Sequence, residues 1–247
     1  MELDILEEIG VSDTGKSEPA PEVKKTFKPS GDKVNMYDVE IVKAMEIDTD
    51  KFDKTGHTFM VHVFGGGGDT DEVEEQILKV ATKLKDKGYI FRCDAPADDT
   101  IGNKLASMEG LKKEVYLPFK KFNENLADSA TMTNKYELAY RYAAQIYGKR
   151  YNDLKPGARA VYAAKLLAAL GIDGDNPVDF LICYSPDGRE HLPGRENKER
   201  IDYTRLGTLS FYLRLCQQAG IPVYNFKNKD SLITFVSNYL KPKSEED

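Results

Sequence analysis

The stretch "HTFMVHVFGGGGDTDEVEEQILKVATKLKDKGYIFRCD", residues 57–94, decides the fold of this chain. Its first apolar run, at 58–65, predicts a buried strand by its length and β-branched content. The following segment repeats apolar residues on one helical face and stops at Gly88, which predicts a helix. "YIFRCD" at 89–94 predicts a second strand. Strand, helix and strand in this order form a βαβ unit, whose two strands run parallel.

The same alternation continues toward the end of the chain. Further strands are predicted at 113–118, 178–185 and 221–226. Further helices are predicted from Ile101 through Met108, in two pieces within 132–170, from Thr208 to Ala219, and at 230–241 with Asp230 as its cap. Apolar strands that alternate with helices indicate a parallel sheet covered on both faces. We therefore expect an α/β, Rossmann-like doubly wound fold, with a mostly parallel sheet of about five strands.

Composition divides the chain into four predicted segments. They are a flexible acidic leader at 1–33, a connecting segment at 34–56, the Rossmann-like domain at 57–240 and a charged tail at 241–247. The leader is rich in Pro, Ser, Gly, Lys and Glu and has few apolar residues to offset the entropy of ordering. Within it, Leu3, Leu6 and Ile9 share a helical spacing. Residues 1–10 are therefore either a fraying terminus or a short peptide that docks into a partner's groove.

Charge and cysteine content narrow the classes of function. The net charge is −6, and residues 1–56 hold 14 acidic and 8 basic residues, so the rest of the chain is neutral. Nucleic-acid binders usually have a basic excess, so binding here would need a local basic patch. The chain lacks a long apolar run and has an acidic N-terminus, so we expect no membrane span, no export and a cytoplasmic location. Cys93, Cys183 and Cys216 are predicted to be buried thiols, and no metal or cofactor is expected.

Glycines follow the first predicted strand, where ligands of doubly wound sheets bind. The run is Gly65, Gly66, Gly67 and Gly68, followed by Asp69 and Thr70. Glycine backbone before a helix N-terminus suits a phosphate group. However, the acidic residues behind the run weaken that attraction, and neither G-x-G-x-x-G nor a Walker lysine is present. A nucleotide contact and a flexible corner both remain open.

Two further loops follow predicted strands. Asp94, Asp98 and Asp99 suit a hydrated divalent ion or a ribose hydroxyl pair. Alternatively, Asp98 or Asp99 caps the following helix. The loop at 185–207 is long and polar, which is typical of a lid, a binding loop or an interface. Its candidate ligand-binding residues, with the helix start that follows, are Ser185, Arg205, Gly207 and Thr208. No Ser/His/Asp or Cys/His arrangement has a suitable context, so no catalytic residue is predicted.

Four segments carry a family resemblance. They are "EVYLPFKKFN" at 114–123, "PGARAVYAAKLLAALG" at 156–171, "VDFLICYSPDG" at 178–188 and "AGIPVYNF" at 219–226. In this order they resemble phage and bacterial proteins of the SLOG superfamily, which includes DprA and the LOG phosphoribohydrolases. The resemblance covers about 57–240. It implies a Rossmann-like sheet that binds nucleotides or nucleic acid through glycine-rich loops after the strands.

The chain departs from the family pattern at three places. The loop at 93–99 lacks the family's glycines, and the loop at 205–208 keeps only a Gly-Thr pair. Where the family has a cluster of polar residues on the helix before the fourth strand, this chain has "YAAK" at 162–165. The catalytic segment of the LOG enzymes has no counterpart, so their activity is not implied.

Three hypotheses of function follow. The first is a non-enzymatic, phage-encoded protein of the host cytoplasm, which binds a nucleotide or single-stranded nucleic acid with degenerate phosphate loops. The second is an interaction scaffold that has lost its nucleotide and binds a host or viral protein through residues 1–10 or the 185–207 loop. The third is a nucleoside N-glycosidic hydrolase that uses Asp94, Asp98 or Asp99. A homo-oligomer is compatible with all three.

Overall fold

The protein folds around one parallel sheet. The computed structural model describes residues 41–53, 57–64, 70–94, 100–193 and 208–241. Its strands are β1 (Thr58–Val63), β2 (Ile90–Asp94), β3 (Lys112–Leu117), β4 (Ala130–Met132), β5 (Phe180–Tyr184) and β6 (Val223–Asn225). They form a six-stranded, all-parallel sheet in the order β4-β3-β2-β1-β5-β6. The predicted α/β doubly wound fold is confirmed, with six strands rather than about five.

Helices connect these strands. They are α1 (Asp71–Asp86), α2 (Ile101–Ala106), α3 (Glu137–Tyr147), α4 (Pro156–Leu170), α5 (Leu209–Ala219) and α6 (Lys229–Phe235), followed by a π-helical turn at Val236–Leu240. Pro156 occupies the first position of α4, and Gly171 follows its last turn, as predicted. The predicted cap of the last helix was wrong. Asn228 precedes α6, and its side chain accepts a hydrogen bond of 3.0 Å from the backbone N–H of Asp230.

The strand β4 was missed in the sequence. It has three residues and no apolar run, and it includes Met132, where the predicted helical region began. Thr133, which is fully buried, donates from Oγ1 to the carbonyl oxygen of Leu117 at 3.1 Å. This bond ties the chain after β4 to the end of β3. A 3₁₀ turn at Thr133–Lys135 follows, and α3 begins at Glu137.

The sheet has a hydrophobic core on each face. Helices α3, α4 and α5 pack on one face, against residues such as Met60 and Leu181. Helices α1, α2 and α6 pack on the other face, against Phe59 and Phe180. Neighbouring strand residues thus point to opposite faces, and both faces are apolar, which explains the nearly continuous apolar runs of the central strands. The three cysteines are buried free thiols, as predicted.

Part of the predicted connecting segment belongs to the folded domain. The N–H of Val42 donates to Oδ1 of Asn152 at 2.8 Å, and Nδ2 of Asn152 donates to the carbonyl of Val42 at 3.2 Å. Asp53 N donates to the carbonyl of Asp175 at 2.7 Å. Residues 41–53 therefore line the α3–α4 face. The leader at 1–33 and tail residues 242–247 lie outside the described residues.

The strand order creates a switch point between β1 and β5. From β1 to β4 each new strand is added on one side, and the chain then returns to place β5 on the other side of β1. In such sheets ligands bind beyond the carboxyl ends of the strands beside this reversal. None of the helices in the described ranges has the length and apolar character that crossing a membrane requires.

Candidate functional site

Four of the predicted site residues can be placed at the carboxyl edge of the sheet. Thr70 precedes α1, Asp94 ends β2, Ser185 follows β5 and Thr208 precedes α5. The others lie outside the described residues: Gly65, Gly66, Gly67, Gly68, Asp69, Asp98, Asp99, Arg205 and Gly207. The structure therefore brings Asp94 and Thr208 close together, and the role of the glycine run stays a prediction.

Asp94 joins three elements through its carboxylate. Nζ of Lys165, on α4, lies 2.5 Å from Oδ2 of Asp94. The hydroxyl of Tyr212, on α5, donates to Oδ1 of the same carboxylate. Nζ of Lys165 also lies 5.0 Å from the ring centroid of Tyr212, a cation–π distance. Because both oxygens of Asp94 already accept a bond, its carboxylate holds α4 and α5 against β2.

His62 extends this cluster to β1. Its ring centroid lies 5.0 Å from that of Tyr212, and its Nε2 lies 3.2 Å from Oγ1 of Thr208. Burial, together with the positive charge of Lys165, lowers the pKa of His62 to about 4, although Asp94 opposes the shift. The imidazole is therefore neutral at pH 7. Its contact with Thr208 fixes the start of α5 beside the carboxyl end of β1.

A cavity of about 380 Å³ lies at the start of α4. It shares Thr208 with the buried cluster, and its lining is Phe122, Lys155, Gly157, Ala158, Val161, Tyr162 and Thr208. The ring of Tyr162 is held between Tyr147 and Phe211, at centroid distances of 4.7 and 4.9 Å. Burial raises the pKa of Tyr162 to about 12, so its hydroxyl is uncharged at neutral pH. The cavity thus has aromatic and aliphatic walls with an exposed lysine at its mouth.

The helix N-termini at this edge differ in charge. The first turn of α1 carries Asp71, Glu72 and Glu74, and Oε2 of Glu74 lies 2.6 Å from Nζ of Lys104. The first turns of α4 and α5 carry no acidic residue. Acidic side chains offset the positive end of a helix dipole. An anion is therefore favoured at the cavity, where α4 and α5 begin, over the start of α1.

Ser185 is part of a separate network beyond β5. Its Oγ donates to Oδ1 of Asp187 at 2.7 Å and accepts from Nδ2 of Asn225 at 2.8 Å. Burial opposes ionisation of Asp187, but hydrogen bonds from Ser185 and Arg189 outweigh it and lower the pKa of this carboxyl. The hydroxyl of Ser185 thus shapes the turn after β5, because its neighbours use both its donor and acceptor capacity.

Sequence reasoning missed several residues of the site. The cavity walls and the cluster depend on His62, Phe122, Lys155, Tyr162, Lys165 and Tyr212, which were not proposed as site residues. A signal was present for Lys165, the one charge in the apolar run "AVYAAKLLAAL" at 160–170. A charge inside a buried helix needs a partner. Asp94, at the end of an apolar strand, was a natural candidate for that partner.

Within the described ranges, His, Cys, Asp and Glu side chains form no group of three suited to a metal ion. Comparison of the chain with protein-family models, with curated proteins and with solved structures finds no match. The resemblance to the SLOG superfamily therefore stays a prediction.

Proposed function

We propose that this protein binds a nucleotide, free or at the end of a single-stranded nucleic acid, in the cavity at the start of α4. One observation carries the proposal. At the carboxyl edge of the sheet, an aromatic cavity of about 380 Å³ meets the acid-free N-termini of α4 and α5. Pockets of about 300–1,000 Å³ with apolar walls and a few polar groups are typical of small-ligand sites.

The walls of the cavity suit a base. Phe122 and Tyr162 present aromatic rings to it, and Ala158 and Val161 add aliphatic surface. The ring of Tyr162 is held by two neighbouring rings, so little rotamer freedom is lost on binding. A base stacked on an aromatic side chain contributes about 1–3 kcal/mol.

The helix starts suit a phosphate. Gly157 and Ala158 lie in the first turn of α4, where backbone N–H groups lack intrahelical acceptors. Gly157 has no side chain to keep an anion away from the backbone, and the ammonium of Lys155 adds a positive charge at the mouth. Helix N-termini are common phosphate sites for these reasons.

The contacts of Asp94 favour binding over hydrolysis. A general acid or base must reach the substrate, whereas both oxygens of Asp94 face Lys165 and Tyr212. The N-glycosidic hydrolase hypothesis therefore rests on Asp98 and Asp99, outside the described residues. The resemblance to the SLOG superfamily supports the nucleotide proposal, while phage origin and a cytoplasmic location stay predictions.

Calorimetric titration of the full chain tests the proposal. The probes are AMP, GMP, CMP, UMP, ADP-ribose, cyclic AMP and short single-stranded oligonucleotides. We expect at least one to bind, and Lys155→Glu to weaken that binding about tenfold, or 1.4 kcal/mol. Lys112→Glu is the matched control, since it makes the same charge change at an exposed position at the amino end of β3. Absence of binding by every probe, or equal weakening by both variants, would overturn the proposal.

A further inference from the structure

The chain enters the described fold beside the cavity. Val42 and Asn152 exchange two hydrogen bonds, of 2.8 and 3.2 Å. Asn152 is followed three residues later by Lys155, which lines the cavity. Ile41, next to this attachment, is a large apolar residue with 68% of its surface exposed. The described chain thus begins close to the start of α4.

The tether is long enough for residues 2–9 to reach the cavity. Residues 10–40 provide 31 residues of chain. Such a length spans at most about 100 Å when extended, and roughly 30 Å as a flexible coil. A segment held this way has an effective concentration on the order of millimolar at a nearby surface. At this effective concentration, even a small apolar contact surface is enough to keep the segment bound.

The segment and the cavity are complementary in apolar surface. Leu3, Leu6 and Ile9 fall on one face when residues 2–9 are helical. The cavity presents half-buried Ala158 and Val161 on the first two turns of α4. Apolar surface on both sides is buried when an amphipathic helix lies in such a groove.

Their charges are also complementary. Residues 2–9 carry four acidic and no basic side chains: Glu2, Asp4, Glu7 and Glu8. Exposed Lys155 lines the cavity, and two further exposed lysines, Lys120 and Lys121, are the two residues before the lining residue Phe122. The nearby first turns of α4 and α5 carry no acid that would repel the segment.

We propose that residues 2–9 dock as an amphipathic helix over the cavity of their own chain. The docked segment covers the apolar walls of the cavity and lies over the N-termini of α4 and α5. A ligand of the cavity must then compete with this segment for the same surface. This inference rests on the cavity and the tether, and it holds whatever ligand the cavity takes.

Tryptophan fluorescence tests the docking, because the chain contains no tryptophan. Leu6→Trp places one reporter in the segment of the full-length protein, and Val23→Trp places it elsewhere in the leader as a matched control. With no nucleotide present, we expect Leu6→Trp to show blue-shifted emission and several-fold weaker quenching by acrylamide than Val23→Trp. Equal emission and quenching for the two reporters would overturn the proposal, and would leave the nucleotide titration unaffected.

Two second-site variants separate docking from other causes of burial. Ala158→Glu in the Leu6→Trp background adds bulk and negative charge to the cavity, so the reporter should become exposed. Leu3→Asp in the same background should have the same effect while leaving the cavity unchanged, which guards against misfolding of Ala158→Glu. A blue shift that survives both variants would overturn the proposal. A shift that grows with protein concentration would also overturn it, because the occupant would then be a second copy of the chain.

Discussion

Nζ of Lys165 lies 2.5 Å from Oδ2 of Asp94 where α4 crosses the end of β2, and the two side chains are only 8% and 10% exposed. Tyr212 occupies the other oxygen of the carboxylate. One buried carboxylate therefore connects β2 with both helices that border the cavity. Charges in such a place are tolerated only while each retains its partner.

Removing one member of this pair should destabilise the protein strongly. Asp94→Leu leaves the ammonium of Lys165 buried without a counter-charge, and we expect a loss of about 3–5 kcal/mol in the free energy of unfolding. Lys165→Met should cost a similar amount. The double variant should lose less than the sum, because no unpaired charge remains. Urea denaturation of all four proteins measures the coupling, and strictly additive losses would show that the two charges do not interact.

The lowered pKa of His62 predicts a loss of stability in mild acid. The pKa of His62 is about 4 in the folded protein, below the usual 6.5, because of burial and Lys165. The unfolded chain therefore binds the proton more readily. The stabilisation is complete above about pH 6.5 and is lost as the pH falls toward 4, by at most about 3 kcal/mol at 1.36 kcal/mol per pKa unit. His62 is partly exposed to solvent, which reduces this value.

His62→Phe separates this effect from that of other acidic groups. The variant keeps an aromatic ring against Tyr212 and removes the titrating group. Urea denaturation at pH 7 and pH 4.5 should show a smaller acid-induced loss for His62→Phe than for the unaltered protein. His191→Gln, at an exposed ring, is the control for replacing an imidazole elsewhere. The same acid-induced loss with and without His62 would contradict the prediction.

Asn225 should be essential to the turn after β5. It is fully buried, and its Nδ2 donates to Oγ of Ser185 at 2.8 Å and to the carbonyl of Arg189 at 2.9 Å. Its Oδ1 accepts from the N–H of Lys227 at 3.0 Å. Asn225→Leu removes these three hydrogen bonds, so the carbonyl of Arg189 and the N–H of Lys227 lose their side-chain partner, while Oγ of Ser185 keeps only its bond to Asp187. At about 1–3 kcal/mol for each buried polar group left unpaired, we expect a total loss of roughly 2–4 kcal/mol after partial rehydration.

Hydrogen exchange locates the effect of Asn225→Leu. Amides of residues 185–190 should exchange faster, whereas those of α3 should keep their protection. Asn228→Leu is the nearby control, and it should cost only about 1 kcal/mol because it removes one helix cap. Unchanged exchange at 185–190 would show that the turn does not depend on Asn225.

The fold was predictable because its main elements carry strong periodic patterns. The alternation of apolar strands with amphipathic helices such as α1 identified the doubly wound class before any contact was known. β4 was missed because a strand of three residues, "ATM", has no period to detect. It depends instead on pairing with β3, through Val115 opposite Ala130 and two further pairs.

The candidate site was less predictable, because its parts are distant in sequence. Phe122, Tyr162 and Thr208 come together only through the order of the strands and the placement of α4 and α5. The glycine run at 65–68 is a local motif that a sequence shows directly. The acid-free starts of α4 and α5 indicate an anion site only because they lie at the same cavity. A single sequence shows the acids of α1, but it does not show which helix N-termini meet.

Two glycines with similar backbones should respond differently to alanine. Gly88 has a φ of +82° and Gly174 a φ of +74°. At either position, an L side chain in this left-handed region lowers the free energy of unfolding by about 1–2 kcal/mol. A Cβ at Gly88 would meet no atom within 4 Å. A Cβ at Gly174 would lie 3.1 Å from the ring of Tyr142, which is only 7% exposed and cannot easily move.

Gly174→Ala should therefore cost clearly more than Gly88→Ala. The loop around Gly174 also supplies two carbonyl acceptors, that of Asp175 for the N–H of Asp53 and that of Asn176 for Nη1 of Arg92. A shift of this loop would weaken both contacts. Each kcal/mol lowers the melting temperature by about 2–4 °C in a protein of this size, so thermal denaturation resolves the difference. Equal melting temperatures for the two variants would mean that the ring of Tyr142 moves aside without loss of stability. The loop would then be held by its hydrogen bonds rather than by packing.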